Sequence, residues 1–506
     1  MANSLAIVGV GSANISALSA LIEKVRELEK FSPEPDSIPV KRIYLIDHEG
    51  NHGAGKAWGR HAHPSMLFSD TSSNGAVDGI KEWLRDKENV WLPEAEKHRH
   101  GALKTWFEHN QPALDAKEYG KIYLPRFVRG MFQQEKLHDI LQDLPESLEV
   151  VILDGKVAEN KKTDHGYRLE FKEPAKEVIL KKDSTGIVRV VPKIGGKQYK
   201  HLDVDANLIG VGASEPKPFP KVKDNQDYFA NPTELHPHLE GDNFADQFKK
   251  AVLKKHHELG HKVEVGVLGA GLSFLDMVNL IYNDDELRQA INLTSISSSG
   301  FARTEAEGQE SKQRDFAPES QMALNKLQPK FIAARVKDAE PSKAGGITIK
   351  TSDEHLDQPD YKFKAGTRSD KKEHHFDIVI QTLGFGKWQE QGVFKGGVED
   401  GTYKADAEYP SPAVDRKMRM AAGSYVNGMV VEPRISGGLK DRGIENQGFL
   451  NNVHRHGLHL ADSLFDELYD ESAQRVREES GHRQISRKPS IAKFAQPELL
   501  ESARSV

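Results

Sequence analysis

The sequence predicts an α/β fold with two Rossmann-like units. Three observations carry that expectation. A strand–glycine turn–helix–strand pattern fills the first 50 residues, and a second copy starts at Val263. Between them, a stretch at about 148–210 alternates apolar and polar residues and reads as a β-meander.

In the first copy, Leu5-Ala6-Ile7-Val8 is a short strand of the fully buried kind, and Gly9-Val10-Gly11-Ser12-Ala13-Asn14 makes the turn. Residues 15–30 follow with helical spacing of Leu18, Leu21, Ile22, Val25 and Leu28. A loop with Pro33, Pro35 and Pro39 breaks the helix, and Arg42-Ile43-Tyr44-Leu45-Ile46-Asp47 is the next strand. The second copy runs from a strand at 263–268 through Gly269-Ala270-Gly271-Leu272-Ser273 into a helix at 274–282. It returns as a strand near 293–297. The meander ends in the buried strand Ala206-Asn207-Leu208-Ile209-Gly210, and a comparable strand at 377–380 runs into Gly384 and Gly386. From about Asp466 the chain is charged and lacks apolar periodicity, which suggests a peripheral helix and a loose tail.

Composition narrows the function classes. A chain of 506 residues suggests about three domain-sized units. No apolar run approaches the ~20 residues needed to cross a bilayer. The start, Met-Ala-Asn-Ser, has no basic region and reads as no secretory signal. A formal net charge of -6 argues against nucleic acid and anionic membranes as partners. The chain has no cysteine, which excludes disulfides, zinc thiolate sites, cysteine nucleophiles and any redox dithiol. A cytoplasmic location is the simplest expectation.

Glycine is needed in such turns for physical reasons. The first permits the tight bend, the second lets the backbone approach a pyrophosphate, and the following helix N-terminus offers N–H groups and partial positive charge. Gly9 and Gly11 fill these roles, with Ser12 at the helix start, and Asn14 stands where a third glycine allows close helix–strand packing. Asp47, at the tip of the second strand, is placed to take ribose hydroxyls. In the second turn Gly269 and Gly271, with Ser273 and Asp276, repeat the logic. Its following strand ends in serines, Ser298 among them, without an acid, and Arg303 lies close by. A missing acid with a nearby arginine favours a 2′-phosphate, hence NADPH over NADH.

The order of these features resembles the FAD/NAD(P)-binding flavoprotein family that includes the N-hydroxylating and flavin-containing monooxygenases. The matching segments are residues 9–14, Gly53-Ala54-Gly55-Lys56-Ala57-Trp58, Met66-Leu67-Phe68-Ser69-Asp70, Tyr123-Leu124-Pro125-Arg126, residues 269–273 and Glu445-Asn446-Gln447-Gly448. They span most of residues 1–465. The family's Gly-Asp before its last helix is replaced by Tyr425-Val426-Asn427-Gly428, and its Ala-Thr-Gly by Gln381-Thr382-Leu383-Gly384.

The resemblance implies two dinucleotide-binding (Rossmann-like) domains, with the NAD(P) domain inserted in a discontinuous FAD domain. The FAD domain would take residues 1–225 and 389–465, the NAD(P) domain 226–388, and the tail 466–506. FAD and NADPH are the implied cofactors. Trp58, Arg126 and Gln447 join the glycine turns as cofactor-binding residues, with Arg126 or Arg129 meeting a phosphate or carboxylate. Asp70, Asn74 and Asn446 are the polar groups at the flavin edge, and the helix near Asn446 aims its N-terminus at the flavin pyrimidine. The implied activity is NADPH-dependent hydroxylation of a small nucleophile, chiefly an amine, by way of a C4a-hydroperoxyflavin. Its partners would be a small-molecule substrate and molecular oxygen, and self-association into a homo-oligomer is common in related flavoproteins. Two alternatives share the scaffold: an NAD(P)H-dependent flavin reductase or dehydrogenase without oxygen insertion, and a non-catalytic flavin-binding interaction protein.

Two other patterns are set aside. His257-Glu258-Leu259-Gly260-His261 spells a zinc-protease motif, but Gly260 reads as a helix stop, which would separate the two histidines. Residues 50–57 nearly spell a P-loop, but Ala57 replaces the hydroxyl that holds magnesium. His454 and His456 read as surface or flavin-edge residues.

Overall fold

The computed structural model describes residues 4–31, 39–59, 62–68, 79–212, 217–232, 239–241, 243–298, 300, 317–357, 367–368, 371–383, 387–405, 412–414, 419–422, 424–426, 460–461 and 464. Ser4–Val8 carries apolar side chains on both faces, as a strand between two parallel neighbours must. Its neighbours are Arg42–Asp47 and Ala206–Ile209, both parallel to it. Ser424–Val426 and Glu149–Asp154 extend the parallel core at either side. The helix Ser12–Phe31 buries Ile15, Leu18, Leu21, Ile22, Val25 and Leu28 on this sheet. Each such aliphatic side chain contributes roughly 1.5–3 kcal/mol when fully buried.

The alternating stretch holds six strands. Its first and last, Glu149–Asp154 and Ala206–Ile209, are parallel members of the central sheet. Between them, the 17-residue strand Gly166–Lys182 pairs antiparallel with Val157–Thr163, Val188–Pro192 and Gln198–Val204.

The second unit is a six-stranded parallel sheet in the order Thr367–Arg368, Lys330–Ala333, Ile291–Ser297, Val263–Leu268, Ile378–Gln381, Tyr228–Phe229. One face packs on Phe248, Phe274, Val278 and Leu324 of the helices. The other packs on a three-stranded antiparallel sheet through Ala339, Ile347, Ile349 and Phe376. Gly266 makes this second packing possible, because a Cβ there would lie 2.6 Å from the Phe376 ring. After this unit the chain returns. Trp388, Phe394, Tyr403, Tyr425, Leu460 and Leu464 are buried in the same core as Ile7 and Leu45. The second unit is therefore inserted within the first.

A helical block with its own core lies between Arg42–Asp47 and Glu149–Asp154. It comprises Ile80–Asp86, Glu88–Glu96, Lys104–Asp115 and Arg126–Gln142 around Leu84, Trp91, Trp106, Phe107, Val128 and Phe132. The sequence reading did not foresee it. Among the described residues no helix is long and apolar enough to cross a membrane.

Candidate functional site

The first glycine turn is built around close backbone approach. Gly9 has φ +84°, and a Cβ there would sit 2.4 Å from the Gly210 carbonyl oxygen. Both facts restrict the position to glycine. The Gly9 N–H donates to the Ile46 carbonyl at 2.8 Å. Asn14, buried, donates from Nδ2 to the Gly9 carbonyl at 2.8 Å. Its amide fills the space that Gly210 leaves, since a Cβ on Gly210 would lie 2.4 Å from Asn14 Nδ2.

Asp47 closes the turn from the second strand. Its Oδ2 accepts the Val10 N–H at 2.7 Å and its Oδ1 the His48 N–H at 2.8 Å. Burial pushes this carboxyl up, but contacts from His48 and His52 and the two backbone donors outweigh it and hold it below the usual carboxylate range. The His48 ring stands 3.6 Å from Asp47 Oδ1, which raises the imidazole above its ordinary value. An ionised acid at this tip retains acceptor capacity for a sugar hydroxyl.

A second wall faces the turn. The Gly53 N–H donates to the Val10 carbonyl at 2.7 Å. Gly55, with φ +66°, sits opposite Gly11, and a Cβ on Gly55 would come 3.4 Å from the Gly11 Cα. Two glycines thus face one another where side chains would fill the space. The residues fit a pyrophosphate group: a glycine-lined cradle, the N-terminus of a 20-residue helix and an acid at the neighbouring strand tip. The wall itself rests on the helix Arg126–Gln142. Gly53 abuts the backbone of Gln134, and Gly130 abuts the Trp58 carbonyl. Trp58 meets Phe68 edge-on at 5.6 Å, and the buried Arg129 guanidinium lies 5.6 Å from the Trp58 ring.

The second turn repeats the geometry in a more open setting. Gly269 has φ +109°, and a Cβ there would meet the Thr382 carbonyl oxygen at 2.6 Å. Gly271 precedes the helix Leu272–Tyr282, and a Cβ on it would meet nothing within 4 Å among the described residues. Ser273 and Ser298 are exposed. This open, glycine-edged helix start fits a second dinucleotide.

Arg126 is engaged by Asp276 and by the backbone of Leu67. Its Nη2 pairs with Asp276 Oδ2 at 2.9 Å, and its Nε donates to the Leu67 carbonyl at 3.1 Å. Burial holds the Asp276 carboxyl above the usual range although Arg126 pulls it down. Asp276 lies on the helix that follows Gly271. Two more polar contacts join the helical block to this unit: the Thr105 hydroxyl donates to Asn283 Oδ1 at 2.8 Å, and Asn110 donates to the buried Glu319. No local spacing in the sequence signals this seam.

Asp70, Asn74, Arg303, Asn446 and Gln447 lie outside the described residues, as do His454 and His456. In the zinc-like motif, Gly260 adopts φ +69° and its N–H bonds the His256 carbonyl, ending the helix Phe244–Leu259. His261 is past that cap, so it does not share a helical face with His257.

Residues 6–181 match the family model described as FAD-NAD(P)-binding. Uncharacterized proteins of Mycobacterium tuberculosis and Mycobacterium bovis are each 24% identical over 141 residues, 27% of this chain and 26% of theirs. The chain thus covers about a quarter of the length of the curated relatives it matches. Among solved structures, the FAD-bound cadaverine monooxygenase of the desferrioxamine biosynthetic pathway from Erwinia amylovora has a TM-score of 0.50 at 12% identity. The match covers 98% of this chain and 99% of that one. An ornithine hydroxylase from Pseudomonas aeruginosa gives 0.49 at 12% identity, covering 92% and 100%. A thioredoxin reductase from T. acidophilum gives 0.43 at 13%, covering 92% and 97%. Residues 6–181 are thus similar to an FAD-NAD(P)-binding domain, and the chain as a whole has a two-unit Rossmann-type fold.

Proposed function

We propose that this protein is an FAD- and NADPH-dependent monooxygenase that hydroxylates a small amine on nitrogen. The observation that carries the reading is the pairing of two glycine-edged helix starts in one chain without cysteine. Two dinucleotide cradles provide for reduction of a flavin by a nicotinamide. Without a cysteine pair there is no dithiol to receive the electrons, as the disulfide-reductase branch of this fold requires. The oxygen-using branch takes the electrons to molecular oxygen instead, and the amine substrate class rests on the sequence resemblance.

Bound FAD would supply the oxygen-activating chemistry. Gly9, Gly11, Ser12 and Asn14 hold its pyrophosphate segment, and Asp47 holds the ribose. Gly269, Gly271 and Ser273 receive NADPH, with Ser298 and Arg303 at the 2′-phosphate. Asp70, Asn74 and Asn446 are assigned to the flavin edge, where the protein's task is to exclude water and present the amine neutral. The overall change balances as amine, oxygen, NADPH and a proton giving hydroxylamine, water and NADP+.

The test is turnover with a panel of amino acids and polyamines, monitored by NADPH oxidation and mass spectrometry. The reading expects one amine to stimulate NADPH oxidation and to gain one oxygen atom. Rapid NADPH oxidation with dyes or quinones and no oxygenated amine would favour a flavin reductase.

A further inference from the structure

The contact between Arg126 and Asp276 joins the two cradles by a short route. On one side, Arg126 opens the helix Arg126–Gln142, and the next turn brings Gly130 against the Trp58 carbonyl. The same helix supports Gly53, whose N–H is bonded to the first glycine turn at Val10. On the other side, Asp276 lies in the second turn of the helix that starts after Gly271. One ion pair at 2.9 Å therefore connects the wall of the first cradle with the floor of the second.

Among the described residues, Thr105 with Asn283 and Asn110 with Glu319 also cross between the helical block and the second unit. Ala317 also packs into the apolar core of the helical block, so apolar contact contributes adhesion while the hydrogen bonds and the ion pair specify orientation, and interfaces with a polar share between domains permit relative motion. Both charges are largely buried, with side-chain exposures of 17% and 8%. A buried carboxylate needs a partner, and Arg126 is held to it by a further bond from Nε to the Leu67 carbonyl. The planar fork fixes direction as well as distance.

We propose that Arg126 and Asp276 are a positioning pair that sets the approach of the nicotinamide unit to the flavin unit. The proposal rests on the reading that the second glycine turn takes a nicotinamide dinucleotide. It assigns Arg126 to orientation between units and not to a phosphate. Hydride transfer demands that donor and acceptor approach within ~3–3.5 Å, and a misplacement of about 1 Å costs on the order of 100-fold in rate. A lost positioning contact is therefore read in the rate of flavin reduction, while each dinucleotide still binds its own cradle.

The experiment uses the full chain loaded with FAD and compares wild type with Arg126→Met, Arg126→Lys and Asp276→Asn. FAD content, NADP+ affinity, anaerobic flavin bleaching by NADPH and by NADH, and bleaching by dithionite are measured. Dithionite is a small reductant that needs no docking. The expected result is unchanged FAD content and dithionite bleaching, and NADP+ affinity within about threefold of wild type. Bleaching by NADPH slows roughly 10- to 100-fold in Arg126→Met, with part of the rate restored in Arg126→Lys. Bleaching of Arg126→Met at the wild-type rate would overturn the proposal, as would slowing that matches a loss of FAD or of dithionite bleaching. Should Arg126→Met not fold, the same comparison is made with Arg126→Lys and Asp276→Asn. If wild type itself is bleached by neither nicotinamide, the reading of the second turn fails and the pair's role falls with it. That outcome shows in wild type alone, so the two failures are distinguishable.

Discussion

The amide of Asn14 occupies the space that a side chain at residue 210 would need: a Cβ on Gly210 would lie 2.4 Å from Asn14 Nδ2. The position of the usual third glycine and the strand beside it have exchanged their small residue, and close helix–strand packing is kept. Gly210→Ala is therefore expected to destabilise the protein by about 1–3 kcal/mol through overpacking. Pairing it with Asn14→Gly should restore part of the loss, and a double-mutant cycle by thermal unfolding of the FAD-loaded protein reads the coupling. Strict additivity of the two changes would count against the compensation.

Gly55 faces Gly11 with φ +66°, so Gly55→Ala combines backbone strain with a narrower crevice. The strain alone is worth roughly 1–2 kcal/mol. Equilibrium dialysis should show FAD affinity falling by about tenfold or more in Gly55→Ala. Gly401→Ala serves as the control, since its φ is +79° and a Cβ there would meet nothing within 4 Å among the described residues. It should share the strain and leave FAD affinity unchanged.

Asp47 and His48 give a pH signature. Asp47 is depressed in the folded protein, so its contribution exists above the unfolded carboxylate value and is lost as pH falls through the folded one. His48 is raised, so its contribution is complete below the unfolded imidazole value and is lost as pH rises through the folded one. The difference in Tm between wild type and His48→Gln should be largest at about pH 5–6 and shrink towards pH 8. A difference that grows with pH would contradict this contact.

Glu319 is buried, and its Oε2 has no hydrogen-bond partner among the described residues. Burial raises this carboxyl, chiefly against the opposing bonds of its own backbone and Asn110. A carboxyl raised on folding costs stability as pH climbs through the interval between its unfolded and folded values. Glu319→Gln, which keeps shape without the charge, should raise Tm at pH 8 and change it little at about pH 4. Lower Tm at both pH values would show that Glu319 needs its carboxylate.

Much of the first site was legible in the sequence because its signals are local. The buried run at residues 5–8, the glycines that follow and the helical spacing after them lie within one short segment. What Asn14 does was not legible, because the glycine that accommodates it closes a strand far along the chain. Arg126 was expected at a phosphate or carboxylate. Its partner, Asp276, stands on the other unit, where no spacing rule connects the two. The helical block escaped for a different reason. Two of its helices have only seven and nine residues, Pro93 and Pro112 interrupt the pattern of two, and its core mixes aromatics such as Trp91, Trp106 and Phe107 with aliphatic residues. The second unit was legible as a repeat of the first, and its insertion was expected from the family resemblance.

The most direct test is anaerobic titration of the FAD-reconstituted chain with NADPH. The account predicts about one FAD held per chain, complete bleaching by NADPH, and loss of FAD retention in Gly9→Ala. A chain that takes up no FAD, or whose FAD is retained in Gly9→Ala as in wild type, would contradict the placement of the flavin on the first glycine turn.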